Sequence, residues 1–330
     1  MDTYPPLPPD DLFSTAQAYA LGWTRRTLPE ARRLGLCHPV LRGWHAHGPC
    51  PSDARAFHLE TVRATHLEYG DRMVTSSVSA CLWHGIAVDD RDLCKVILAR
   101  RAPVDGDAPA SHGRSTHRVL VRAHAEDVDL ASEAPVLRPA AAVVEYLMQA
   151  GLPTGVAAAD DALRQGLVTL DDLAEATERR RGRTRISLAQ SLAAWVDPLA
   201  ENPGESRARV ALVRAGFRVE SQVWITTPGG RYRPDWRVVG TAALIELDGA
   251  QKYVGADGSL LTDKVRRQRT RDRDLELTGH AVAHITMDDL LGPAELREVV
   301  VRQVREALQR PTPEPWREGR GTAPGWRAAG

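Results

Sequence analysis

Near residue 245 the apolar pattern is short and dense. Ala242 to Leu247 (Ala-Ala-Leu-Ile-Glu-Leu) is apolar apart from Glu246, and Asp248-Gly249 closes it. A run of this length predicts a buried strand. Alternate side chains of a strand share a face, so Glu246 and Asp248 point the same way and Leu247 points into the core. Arg231 to Val239 reads as a preceding strand that carries Asp235, with a tight turn at Gly240-Thr241. About ten residues separate Asp235 from Glu246, so a hairpin brings the three carboxylates together. Around them the pattern predicts a helix from Gly204 to Gly216, a strand from Phe217 to Thr227, and a basic helix from Leu260 to Leu277 stopped by Gly279. A strand from His280 to Thr286 and a helix opening at Asp288-Asp289 follow.

The first nine residues read as a Pro-rich lead without structure. Asp10-Asp11 is expected to cap a helix through Ala20, and Thr24 or Thr27 a second helix to Leu34. Leu36 to His47 reads as a hairpin turning near Arg42-Gly43. Helix, helix, hairpin is the outline of a winged helix, whose second helix enters the DNA major groove. Arg25, Arg26, Arg32 and Arg33 are then placed to meet DNA phosphates or base edges. Pro29 requires that second helix to begin about there. Further on, Ala54–Tyr69 is expected as a helix whose His58, Arg63 and His66 are a solvated face. Thr75 to Gly85 reads as a helix that His84 helps to close. Lys95–Ala99 and His117–Arg122 read as alternating strands around a polar loop, Asp105 to Ser115. Pro139–Gln149, Val156–Gln165, Leu170–Arg179 and Ile186–Trp195 read as helices.

The 43 basic and 43 acidic residues cancel, which excludes a chain that coats DNA by bulk charge. Positive charge still concentrates locally, at Arg179–Arg183 and from Lys264 to Arg273. The polar, Pro-rich start does not read as a signal peptide, and no apolar run reaches a membrane span. Cys37, Cys50, Cys81 and Cys94 show no Cys-x-x-Cys spacing and read as reduced thiols, so a cytoplasmic location is expected. Cys37, His38, His45, His47 and Cys50 have the composition of a zinc site but not its spacing, and the histidines read as exposed residues of the hairpin wing.

Clustered carboxylates repel one another, and burial penalises each charge. A divalent cation resolves both, and an all-oxygen ligand set suits Mg²⁺ or Mn²⁺ better than Zn²⁺. Asp235 and Glu246 are the expected ligands, with Asp248 as a further ligand or outer acid and Glu205 supporting a second metal. Lys252 is expected to act on the water or the developing phosphate charge. Arg267 and Arg271, one helical turn apart, would hold the DNA backbone. The competing reading of the same residues is two ordinary strands ending in solvated acids.

The order helix, three strands, helix, strand, helix resembles the PD-(D/E)xK nuclease superfamily, and most closely its DUF559 branch, related to very-short-patch-repair endonucleases. Glu205-Ser206, Arg233-Pro234-Asp235, Glu246-Leu247-Asp248-Gly249, the basic helix from Lys264 to Arg273 and the strand Gly279–Thr286 before Asp289-Leu290 carry the likeness. The superfamily's usual strand reads Glu-x-Lys. Here Asp248 stands in the Lys place, and Lys252 fits the later position where the branch often has His or Lys. The first ~50 residues, and the run Ser79-Ala80-Cys81-Leu82-Trp83-His84-Gly85-Ile86, resemble the AbiEi-type antitoxin family.

The expected architecture is therefore a multidomain α/β chain. A winged-helix domain spans 1–50, a mixed α/β and helical region 51–196, a linker 197–204, a PD-(D/E)xK-like domain 205–310 and a disordered tail 311–330. The expected function is DNA binding with Mg²⁺- or Mn²⁺-dependent endonuclease or nickase activity in repair or defence. The alternative is a non-catalytic, antitoxin-like DNA-binding regulator that keeps the nuclease fold as a scaffold.

Overall fold

The computed structural model describes residues 4–101, 117–248, 262–291 and 294–309. Lys252, the loop 105–115 and the tail from 311 lie outside the described residues. The chain is mixed α/β and divides into two compact units. Met1–Gly151 with Gln165–Gln190 forms the first, and Leu152–Arg164 with Ser191–Gly330 the second. In chain order the elements are β1 (Leu12–Ser14), α1 (Thr15–Ala20), α2 (Leu28–Arg33), β2 (Cys37–Leu41), β3 (Trp44–His47) and α3 (Ala54–Tyr69). Next come β4 (Met73–Thr75), α4 (Ser77–Trp83), β5 (Val96–Arg100), β6 (His117–Arg122), β7 (Val128–Asp129), β8 (Val136–Leu137) and α5 (Pro139–Ala150). Helix α6 (Leu152–Arg164) belongs to the second unit, and α7 (Leu170–Glu178) and α8 (Ile186–Gln190) to the first. The rest of the second unit is α9 (Pro203–Arg214), β9 (Val219–Ser221), β10 (Ile225–Thr227), β11 (Gly230–Tyr232), β12 (Trp236–Val238) and β13 (Ala243–Asp248). Helix α10 (Thr262–Leu277), β14 (Ala281–Thr286), α11 (Met287–Leu291) and α12 (Ala294–Leu308) complete it.

In the first unit Asp10-Asp11 caps no helix. Leu12–Ser14 is drawn into a strand against Trp44–Ala46 instead, burying Phe13 completely. Ser14 then caps α1: its Oγ accepts from Gln17 N (3.1 Å), while Gln17 Oε1 accepts from Ser14 N (2.7 Å). Helix α2 begins at Leu28, so Pro29 sits in its first turn, where its missing N–H costs nothing. The hairpin β2–β3 forms where the pattern put it, and Gly43 takes the positive φ (87°) its turn needs. These strands make the sheet β1-β3-β2.

A second sheet, β6-β5-β4-β8-β7, supports the helices α3 and α4, and α5 packs on α4. Strand β5 is buried along most of its length rather than alternating. His58 is also not solvated. It is buried, sharing hydrogen bonds with Leu93 O (3.0 Å) and Ser79 Oγ (2.8 Å). His84 ends α4 and bonds Leu137 O (2.7 Å).

In the second unit the central sheet runs β14-β13-β12-β9. Strand β13 pairs antiparallel with β12 and parallel with β14, and α10 makes the crossover. Between two neighbours β13 is buried from Ala243 to Leu247, and its residues on both faces are apolar except Glu246. Ala243, Ile245 and Leu247 pack with Ala208 and Leu212 of α9 and Val300 and Val304 of α12. Leu244 faces the other way, onto Leu275 of α10 and Ile225 of β10. The segment Phe217–Thr227 is two strands rather than one, broken at Gln222, which adopts φ 57°. The separate pair β10–β11 is a small hairpin. Helix α6 joins this unit because buried Asp160 accepts from Arg209 of α9 (3.0 Å) and from Asp197 N (2.6 Å). Residues 197–204 are therefore tied into the unit, and the last two of them start α9.

Among the described residues no helix is long and apolar enough to cross a membrane.

Candidate functional site

The register Trp236↔Ile245 carries Asp235, one residue before β12, to the level of Glu246 on β13. Asp235 is fixed there because its Oδ2 accepts from Leu247 N (2.7 Å). Glu246 is buried, on the sheet face that meets α10, and Asp248 follows two residues on at the strand end. Glu205 comes to the same place from the first turn of α9. All four acids line one cavity of about 630 Å³. Its lining carries six carboxylates and two guanidinium groups, so it attracts cations and repels phosphate.

Each acid also has a protein partner. Glu205 completes a helix cap: Asn202 Oδ1 accepts from Glu205 N (3.0 Å), and Asn202 Nδ2 donates back to Glu205 Oε1 (2.6 Å). Glu201 N (2.8 Å) and Gln222 Nε2 (3.1 Å) donate to its Oε2. Gly204 is needed for this turn, since a Cβ there would lie 2.9 Å from Asn202 Oδ1. Glu246 is ion-paired with Arg271 of α10. Asp248 pairs with His284 Nδ1 at 3.2 Å.

His284 is the residue that sequence reasoning missed. It lies beside Glu246 across the parallel pair β13–β14. Its Nε2 contacts Asp272 of α10 at 3.1 Å, and Gln268 Nε2 approaches its Nδ1 at 3.0 Å. The hydrogen bond to Asp248, together with the charges of Asp272 and Asp248, raises its pKa despite burial. A polar residue at an outward position of the strand parallel to the acid-bearing one was the available signal, but it needs the strand pairing to be known.

The donor types suit a hard divalent cation, because every acid lining the cavity offers only oxygen. Among the described residues, however, no group of three or more His, Cys, Asp or Glu side chains stands close enough to hold a metal ion. The acids share a cavity but do not form a tight cluster. Arg271, expected on the DNA backbone, instead faces the cavity and neutralises Glu246; its guanidinium also lies 6.0 Å from the Tyr232 ring. Arg267 is exposed on α10.

In the first unit Arg25, Arg26, Arg32 and Arg33 are all exposed on and before α2. Arg33 pairs with Glu30 (3.1 Å). Arg32 donates toward His45 Nε2 (3.3 Å), which also contacts Thr15 Oγ1 (3.0 Å). His45 is buried rather than exposed. Burial first, then Arg32 and His38, pushes its pKa down to about 4, so it stays neutral. His38 is buried too, on Glu60 (2.8 Å), and His47 bonds Pro8 O (2.7 Å).

No protein-family model matches the chain, and no curated protein matches it. Among solved structures the chain is similar to the crystal structure of RV2827C protein from Mycobacterium tuberculosis. The TM-score is 0.34 and the identity 18%, over 66% of this chain and 84% of that one.

Proposed function

We propose that this chain is a DNA-binding protein whose second unit cuts or nicks DNA with Mg²⁺ or Mn²⁺, in repair or defence. The observation that carries the reading is the meeting of Asp235, Glu246, Asp248 and Glu205 on one cavity at the ends of two paired strands. An acid-lined cavity repels a phosphodiester unless a cation stands between them. Asp235 and Glu246 are the residues that would hold the cation, with Asp248 beside them. When bound, the cation supplies an activated water and offsets charge on the scissile phosphate. Glu205 orders the first turn of α9 and so the cavity wall. Arg233, on the cavity rim, meets the incoming backbone. Lys252 keeps its proposed role at the developing phosphate charge.

With the separate β10–β11 hairpin set aside, the order α9, β9, β12, β13, α10, β14 is the order expected of a PD-(D/E)xK core and supports this reading. In the first unit, α1, α2 and the β2–β3 hairpin with exposed Arg25, Arg26, Arg32 and Arg33 support a winged-helix DNA contact.

The regulator reading has one observation in its favour: Asp235, Glu246, Asp248 and Glu205 each already have a protein partner. A supercoiled-plasmid assay separates the two. The nuclease reading expects open-circle product with Mn²⁺, none in EDTA, and none with Asp235→Asn. Binding without product, in wild type as in the variant, leaves the regulator.

A further inference from the structure

The β10–β11 hairpin carries a feature that the cavity does not explain. Its inner face is buried: Ile225 and Tyr232 pack with Leu244 and Leu275. Its outer face presents Trp224, which is 55% exposed, with Arg231 and Arg233. The two guanidinium carbons lie 4.8 and 5.5 Å from the indole centroid. The register Ile225↔Tyr232 explains this grouping, since it sets Trp224 opposite Arg233 and diagonal to Arg231. Arg233 also ion-pairs with Glu201 and lines the acid cavity, so the indole stands at the cavity's edge.

We infer that this outer face is a docking platform for single-stranded DNA, with Trp224 stacking an unpaired base and Arg231 and Arg233 holding the phosphates beside it. The inference deepens the nuclease reading and rests on it for the identity of the polymer. A ring 55% exposed, with two guanidinium groups over it that a base can displace toward its own phosphates, matches the two parts of a nucleotide, an aromatic base and an anionic phosphate. Arginine holds phosphate through paired N–H groups and stacks on rings, so it serves both parts. A duplex hides its base faces within the stack and offers the indole nothing to cover, whereas an unpaired strand exposes them. Arg231, beside Arg233 of the cavity lining, adds positive charge next to a lining in which acids outnumber arginines. The strand engaged here is therefore the one whose neighbouring phosphate enters the cavity.

The test is binding of the full chain, in EDTA and low salt, to a labelled oligothymidine and to a duplex of equal length, read by fluorescence anisotropy. Trp224→Ala is expected to weaken single-strand binding about 5- to 150-fold, the range of one base–aromatic stack. Trp224→Phe is expected to stay within about 3-fold of wild type, and the duplex within about 2-fold for both variants. Single-strand affinity unchanged in Trp224→Ala overturns the inference, as does an equal loss for both DNAs or no single-strand binding by wild type. Because EDTA removes cleavage, Trp224-dependent binding by a protein that never cuts DNA keeps the platform and removes the nuclease reading.

Discussion

Arg271 supplies positive charge inside the acid-lined cavity. Paired with buried Glu246 at the head of the cavity, it offsets a charge that burial would otherwise penalise. Arg271→Gln is expected to lower the stability of the EDTA-treated protein by about 1.5–3 kcal/mol, the worth of a charged hydrogen bond. The same change should tighten Mn²⁺ binding, because the ion no longer competes with a guanidinium; urea melts and a calorimetric titration read the two effects. Glu205 has a different task. Its carboxylate satisfies Glu201 N, Asn202 Nδ2 and Gln222 Nε2. Glu205→Ala strands these donors and should cost about 1–3 kcal/mol in a urea melt, with or without metal. A loss seen only with metal would make Glu205 a ligand instead. His284 shows where sequence stops. Asp235, Glu246 and Asp248 stand within one hairpin, so spacing alone could group them. His284, Asp272 and Arg271 reach the same place through strand pairing and the α10 crossover, which no local pattern encodes.

At the scale of elements, legibility followed the strength of the local signal. Ala54–Tyr69 and the β2–β3 hairpin, with long periodicity or a glycine turn, stand where the sequence put them. Strand β1 has three residues and exists only because β3 pairs with it, so its sequence read as the start of a helix. The break at Gln222 is likewise set by the folded unit, since a non-glycine residue at φ 57° has no sequence signal of its own. Buried His45, and His66, which was expected on a solvated face but is half-buried against Thr75 Oγ1 (2.7 Å), yield a pH prediction for the first unit. Burial holds His45 and His66 down at about 4. Between pH 6.5, the ordinary histidine value, and about 4 the unfolded chain binds protons that the folded one does not. Stability is therefore full above pH 6.5 and falls with pH, by up to about 1.4 kcal/mol per pH unit for each of the two. Amide protection factors in α3 and β2, which remove the intrinsic pH dependence of exchange, should fall between pH 7 and 5, and His45→Gln should flatten that fall. For α2, exposed Arg25, Arg26, Arg32 and Arg33 predict four phosphate contacts. Replacing all four with Gln should flatten the log–log salt dependence of duplex binding by about 3 to 4.

For the whole molecule, the two compact units divide the proposed work between duplex contact in the first and the acid cavity in the second. They should also answer acid differently. In the second unit burial raises Asp160 to about 6, and His284 is raised as well. Their stabilising effect is present at low pH and lost as pH rises through the folded pKa, the reverse of the trend set by His45 and His66. His280, lowered by burial, opposes them. Protection factors measured across the chain should therefore show a flatter acid response in the second unit than in the first.

The central claim is that the cavity of Asp235, Glu246 and Asp248 holds a divalent cation. The most direct measurement is a thermal melt of the full chain with Mn²⁺ and with EDTA, for wild type and Asp235→Asn. Binding to the native state alone raises Tm. Asp235→Asn keeps an oxygen to accept from Leu247 N, so in EDTA it should melt at or above wild type, relieved of one repelling charge. The account predicts a rise of several degrees for wild type in Mn²⁺ and none for the variant. A wild-type Tm that Mn²⁺ leaves unmoved contradicts it.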